Sequence, residues 1–345
     1  MAKQKRNRTH LYTLTPNPAL DLSGHVRRLI PNEKNTVFAL RKDPGGNGIN
    51  AAKIAHRVGK LPVTALGFLG GSVGKQVASL IEKEGIRSKM VTIQDETRIN
   101  VTATNDGDHL QTRLTFPGPR VRASEKRKLL QTIRAIQPPA LLLLGGSLPE
   151  GLGASFYTDV ARGAQARGVG VIADVPARWI DQFSPRTRNH TPLLLIKPND
   201  AELSEWTGKK LKSDSQILKA ARQLLDLPGR PGISVLVVVS LGSRGAFILC
   251  AQQVWFLRAP KIRAQGTVGA GDSFVGAFAM RLAEAGLTHP EALRQAWDDE
   301  PQQVLECARW AVAAGAATAA QQGTAMARLE DICKLLPKVA TYFLL

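Results

Sequence analysis

Residues 266–280 read GTVGAGDSFVGAFAM, with three glycines, a threonine and one aspartate placed just ahead of an apolar helical pattern. Val275, Phe278 and Leu282 recur at helical spacing and Gly286 is a natural stop. Gly269, Ala270 and Gly271 therefore fall at a helix amino terminus, where free N–H groups and the helix dipole favour an anion. Small residues let a phosphate reach the backbone. A carboxylate beside that phosphate would repel it, so Asp272 makes sense as a base taking a proton from an attacking hydroxyl. The plainer alternative is an acid that complements the dipole. On this loop alone, both stay open.

A second glycine loop, DPGGNGINAAKIAHRVG (43–59), also leads into a helix. Gly45, Gly46 and Asn50 could hold a small polar ligand, or the glycines could simply make a tight turn. His56 reads as an ordinary helix-surface or core histidine.

These loops need elements to hold them. Apolar runs recur at 141–146, 169–174, 192–198 and 233–242, each short and ending in small or polar residues. Amphipathic stretches such as 153–168 and 213–227 lie between them. Uninterrupted apolar strands alternating with helices predict an α/β fold with a parallel sheet covered on both faces. Ligands of such sheets bind beyond the carboxyl ends of the strands. Residues 19–42 and 97–116 instead alternate polar and apolar residues, which predicts half-exposed antiparallel strands in a small β-layer capping the body. Loop-like stretches at 116–120, 226–232 and 298–303 are too short to be interdomain linkers.

Bulk properties narrow the class. The chain has 345 residues, 43% of them hydrophobic, enough to build a substantial core. Cys250, Cys307 and Cys333 are scattered and form no CxxC, which favours a reducing compartment over a disulfide framework. No apolar run is long enough to span a bilayer and the start lacks a signal-type core, so a cytoplasmic location is expected. The net charge of +18 attracts anions in general, but only residues 1–8 form a dedicated basic tail. Without an RNA-binding aromatic signature, zinc finger or basic zipper, specific nucleic-acid binding is disfavoured.

The order of the motifs brings a family into view. PGGNGINAAKIAHRVG (44–59) and GTVGAGDSFVGAFA (266–279) resemble the two signatures of the ribokinase/PfkB carbohydrate kinases. TRINV (97–101), GGSLPEG (145–151), IKPNDAEL (196–203) and VVVSLGSRGA (237–246) fall between them in the family's order, and the resemblance runs from about residue 10 to 325. TLTPNPALD (13–21) is similar to the phosphofructokinase and tagatose-6-phosphate kinase branch.

The resemblance implies a ribokinase-like three-layer α/β/α domain over residues 9–340, with a β-lid formed by about 19–42 and 97–116. It implies ATP and Mg2+, a sugar-phosphate acceptor, and a homodimer formed through the lid. Asp272 would be the base, and the backbone of Gly269, Ala270 and Gly271 the phosphoryl cradle. Asp21, Gly45, Gly46 and Asn50 would grip sugar hydroxyls, with Ser147 and Asp174 in the same pocket. Arg98 would clamp the sugar phosphate, because its planar fork suits phosphate geometry. Lys197, Ser240, Gly242, Gly245 and Thr267 would meet the nucleotide, and Asn199 with Glu202 would organise magnesium, often through water. Taken singly, Asp21 could be a turn residue, Glu202 a dipole complement and Arg98 an exposed strand partner.

The acceptor is harder to read. Relatives acting on fructose 1-phosphate or tagatose 6-phosphate usually carry lysine where this chain has Asn47. Lys34, 13 residues after Asp21, matches a lysine of the minor bacterial 6-phosphofructokinase branch. Both favour fructose 6-phosphate, whereas GFLGG (67–71) and TRINV are more similar to the 1-phosphofructokinase branch. Gly145, the residues after Asp174, and Gly266 depart from the common family pattern. A neutral acceptor is disfavoured by Arg98 and Lys34, and a sensor without chemistry by Asp272, Asn199 and Glu202.

Overall fold

The computed structural model describes residues 8–108, 110–184 and 192–345; nearly all of the expected basic tail, residues 1–7, lies outside them. Fourteen strands occur among these residues. The first seven are β1 (His10–Thr15), β2 (Ala19–Val26), β3 (Phe38–Gly45), β4 (Val63–Gly70), β5 (Arg87–Ile93), β6 (Arg98–Asn105) and β7 (Gln111–Leu114). The others are β8 (Ala140–Gly145), β9 (Gly170–Asp174), β10 (Leu193–Ile196), β11 (Ser234–Ser240), β12 (Gly245–Cys250), β13 (Gln253–Arg258) and β14 (Ala340–Phe343).

Ten strands form the central sheet in the order β14-β13-β12-β11-β10-β9-β8-β1-β4-β5. From β11 to β5 every neighbouring pair is parallel; β12, β13 and β14 complete the sheet in antiparallel fashion. The apolar runs explain this arrangement. All residues of β4, β8 and β9 are buried, because helices cover both faces of the sheet. Two hydrophobic clusters, one on each face, share the alternating side chains of the same strands: Leu141 and Leu143 belong to one, Leu142 and Leu144 to the other. Residues after 328 carry no readable motif, yet they supply a short helix, Leu329–Leu335, and the edge strand β14.

The four remaining strands form a separate sheet, β3-β2-β6-β7. β2, β6 and β7 fall inside the two alternating stretches and β3 runs three residues past the first, to Gly45, but the central pair corrects the antiparallel expectation. β2 runs parallel to β6, with Asp21 level with Asn100, while both outer pairs are antiparallel. The reason is the path between them. The chain leaves β3, builds a helix, β4, a second helix and β5 in the body, and re-enters the lid in the direction of β2.

Two helices carry the glycine loops. Asn47–Val58 follows Gly46, and Ala270–Glu284 follows Gly269. They cross with little space between backbones: a Cβ on Gly276 would lie 2.3 Å from the Ala51 carbonyl oxygen. That close approach brings the two loops to one place.

Candidate active site

At the crossing, Asn50 Nδ2 donates to Asp272 Oδ2 over 2.9 Å. Gly269 adopts the left-handed backbone (φ 75°) that starts the Asp272 helix, and its carbonyl accepts from both the backbone N–H and the hydroxyl of Ser273, each at 2.8 Å. The Ser273 hydroxyl also meets Thr318 Oγ1 at 2.7 Å, which ties the loop to the neighbouring Pro301–Ala319 helix. Burial pushes the Asp272 carboxyl up to about 7, and the Asp174 charge adds to this; the Asn50 bond and the Lys197 charge act in the opposite direction. A carboxyl so tuned can take up a proton near neutral pH.

Lys197 follows β10 and is 4% exposed. Its Nζ lies 2.9 Å from Oδ1 of Asp174, the last residue of β9, and 3.8 Å from where a Cβ on Gly271 would stand. Burial opposes its charge, but Asp174, Glu202 and Asp272 together outweigh that and raise its pKa. A permanent cation beneath a glycine loop at a helix amino terminus makes a place for an anion.

Asn199 and Glu202 close a reciprocal cap at the start of the Asp200–Thr207 helix. Glu202 N donates to Asn199 Oδ1 at 2.7 Å and Asn199 N to Glu202 Oε2 at 2.9 Å. Burial raises the Glu202 pKa, and Lys197 acts against it. Ser240 N donates to Pro198 O at 3.1 Å, setting the end of β11 beside this turn. Gly242 is exposed with open space around it, and Thr267 is exposed with its carbonyl accepting from Ala270 N. Gly245 has a structural reason to be glycine: a Cβ there would lie 1.9 Å from the Leu257 carbonyl oxygen of β13.

The lid supplies the other side. Asp21 Oδ1 accepts from Asn100 Nδ2 at 2.9 Å, and its Oδ2 stands 2.1 Å from where a Cβ on Gly45 would be. Burial raises its pKa, against the Asn100 bond and the charges of Lys53 and Arg98. Gly46, at φ 117°, turns the chain from β3 into the helix of Asn50. Arg98 donates from Nη2 to Asn17 O (3.0 Å) and from Nη1 to Phe116 O (3.2 Å). Ser147 accepts from Asn17 Nδ2 at 3.1 Å. Lys34, by contrast, is exposed in the β2–β3 connection and makes no hydrogen bond or ion pair with the other candidates.

Two neighbours escaped the sequence reading. Asn17 sits between two prolines beyond β1, at the edge where ligands bind, a position the strand pattern could have flagged. Lys53, buried on the Asn47–Val58 helix, faces Asp43 and Asp21; its helical spacing gave no sign of it.

A family model described as pfkB family carbohydrate kinase matches residues 18–331. The chain belongs to this family. It is 31% identical over 326 residues to the ATP-dependent 6-phosphofructokinase isozyme 2 of Escherichia coli K12, covering 94% of this chain and 97% of that one. It is 33% identical over 290 residues to the 1-phosphofructokinase of Haloferax volcanii, with 82% and 87% covered. The crystal structure of E. coli phosphofructokinase-2 in complex with fructose-6-phosphate superimposes with a TM-score of 0.82 at 29% identity, covering 96% of this chain and 99% of that one.

Within the pfkB framework, one departure from the common pattern has a visible neighbour. A Cβ on Gly145 would lie 3.2 Å from Asn47 Cβ, and one on Gly146 would lie 3.3 Å from Asn47 Oδ1. Asn47 therefore packs over the turn that follows β8, where a side chain at position 145 would crowd it.

Proposed function

We propose that this pfkB-family sugar-phosphate kinase transfers the γ-phosphoryl group of ATP to fructose 6-phosphate, giving fructose 1,6-bisphosphate. The observation that carries the reading is the Asp272 carboxyl at the mouth of a glycine-loop helix, bonded to Asn50 and facing Lys197. Asp272 takes the proton of the acceptor hydroxyl, while the backbone N–H groups of Gly269 and Gly271, and that of Ala270 once it leaves the Thr267 carbonyl, meet the charge on the transferring group. Lys197, charged and buried beside Gly271, neutralises phosphate oxygens without having to be ordered first. Asp21, Asn50, Gly45, Gly46, Ser147 and Asp174 hold the sugar, and Arg98 its phosphate. Ser240, Gly242, Gly245 and Thr267 line the nucleotide side.

The oxygen donors of Glu202 and Asn199 suit Mg2+, a hard cation that keeps most of its ligands as water and phosphate oxygens. Glu202, with Asn199 closing its cap, would hold the ion, which neutralises charge as the phosphoryl group moves.

The missing lysine at Asn47 favours fructose 6-phosphate over fructose 1-phosphate and tagatose 6-phosphate; Lys34 adds the match of its position to the 6-phosphofructokinase branch, not a contact with the other candidates. The lid also exposes the apolar side chains of Val37, Phe38, Leu40, Leu114 and Phe116, which suits pairing with a second copy. No helix of the described residues is long and apolar enough to cross a membrane.

The test is ADP release from Mg-ATP with each of the three sugar phosphates. The reading expects the highest kcat/KM with fructose 6-phosphate, and a loss of about 10²- to 10⁴-fold in Asp272→Asn. A preference for fructose 1-phosphate would keep the mechanism and overturn the substrate. Turnover of none of the three would overturn the sugar-phosphate acceptor.

A further inference from the structure

Asn17 has no part in the transfer chemistry, yet three parts of the acceptor side meet on it. It is 6% exposed and lies just past β1, at the carboxyl edge of the central sheet. Its Nδ2 donates to Ser147 Oγ at 3.1 Å, and its carbonyl accepts from Arg98 Nη2 at 3.0 Å. The second arm of the Arg98 fork, Nη1, donates to Phe116 O at 3.2 Å. The loop carrying Phe116 then returns to Asn17: a Cβ on Gly118 would lie 2.2 Å from Asn17 Oδ1. The body, the lid and a loop thus meet on this one residue, the lid through its backbone carbonyl and the body through its side chain.

We propose that Asn17 is the positioning residue of the sugar-phosphate clamp, fixing the Arg98 guanidinium relative to the Ser147 hydroxyl. This rests on reading Arg98 and Ser147 as acceptor-binding residues. A guanidinium has five N–H donors. Arg98 commits one on each arm to a carbonyl and its Nε is buried, so its plane is set while the second N–H of each arm is left for a phosphate. Ordering the fork before binding removes part of the entropy cost of association. Ser147, anchored by the same residue, is then met by the acceptor at a fixed separation from its phosphate. Asn17 therefore selects the length of the acceptor without touching it.

The experiment is steady-state kinetics of Asn17→Ala in the full chain. The substitution keeps the backbone carbonyl that holds Arg98 and removes the bond to Ser147, so losing the fixed link between the two is expected to raise the acceptor KM about tenfold, with kcat and the ATP KM within about twofold. A merely structural role would instead lower kcat through the active fraction and leave the acceptor KM alone. Gly118→Ala gives an independent route, because its Cβ presses on Asn17 Oδ1. It should show the same KM signature, and the double variant should be no worse than the worse single one. Unchanged acceptor KM in these variants, or fully additive effects, would overturn the proposal; Gly118→Ala alone decides if Asn17→Ala does not fold. If the wild type turns over none of the three sugar phosphates, the acceptor reading fails by itself. The thermal shift given by inorganic phosphate then decides. A shift abolished by Arg98→Ala and reduced by Asn17→Ala supports the clamp, and equal shifts in wild type and Asn17→Ala sink it.

Discussion

Asn50 Nδ2 donates to Asp272 Oδ2 across 2.9 Å, although 222 positions separate the two residues in the chain. The bond stabilises the charged carboxylate against burial and Asp174, which hold the Asp272 pKa up at about 7. A base must be unprotonated, so kcat/KM for the acceptor should fall about tenfold per pH unit below that value. Removing the donor removes a force that lowers the pKa. Asn50→Ala should therefore move the acid limb to higher pH, and a pH profile that stays in place would separate Asn50 from the ionisation of Asp272.

The same carboxyl makes stability depend on pH. Its folded pKa of about 7 exceeds the ordinary 3.8, so across that window the folded chain holds a proton that the unfolded chain has lost. Stability therefore falls as pH rises through the window, and the cost is complete above about 7. Asp272→Asn removes the titration. Its Tm relative to wild type should improve from pH 5 to pH 8, by about 2–4 °C for each kcal/mol relieved. Scanning calorimetry at the two pH values checks this, and an improvement that shrinks with pH would contradict the buried-charge account.

Gly276 sets how closely the two loop helices approach. A Cβ there would lie 2.3 Å from the Ala51 carbonyl oxygen, backbone that cannot swing aside. Gly276→Ala should cost about 1–3 kcal/mol in stability and lower kcat by parting Asn50 from Asp272. Gly153→Ala, with nothing within 4 Å of its added Cβ, is the control and should change neither. Chemical denaturation with parallel assays reads both.

The exposed apolar side chains of the lid predict a self-association that charge will break. Leu40 is 59% exposed on β3. Leu40→Glu should weaken the dimer by about 2 kcal/mol, about 30-fold in Kd, if this side chain is a central contact. Sedimentation equilibrium measures the change. A wild type that stays monomeric at high concentration would remove the lid interface altogether.

The parallel core was legible because strands buried on both faces read as unbroken apolar runs, and the two glycine loops because small residues beside Asn50 and Asp272 mark helix starts. Partner direction was not legible in the lid. Alternation says which side of a strand is wet, and is silent on whether β2 lies parallel or antiparallel to β6. The ion pair between Asp174 and Lys197 follows from β9 and β10 being neighbours, and no local spacing announces that. Asn17 and Lys53 are long-range in the same sense. Their significance comes from what the fold sets against them, whereas Lys34, named from its resemblance to a lysine of one branch of the family, stands apart from the cluster.

The strand order of the central sheet also orders events during synthesis. β4 and β5 are added on one side of β1; every later strand, from β8 through β14, joins the opposite edge in the sequence in which it is made. Each strand leaving the ribosome after β8 finds its neighbour already present, which suits growth of a chain from its amino terminus. Asp272 comes only after β13, in a helix that must still seat itself against the one begun at Asn47. A nascent chain can therefore assemble its lid strands and most of its sheet while Asp272 is still unmade. If Asp272 is the proposed base, competence for phosphoryl transfer arrives only in the last part of translation.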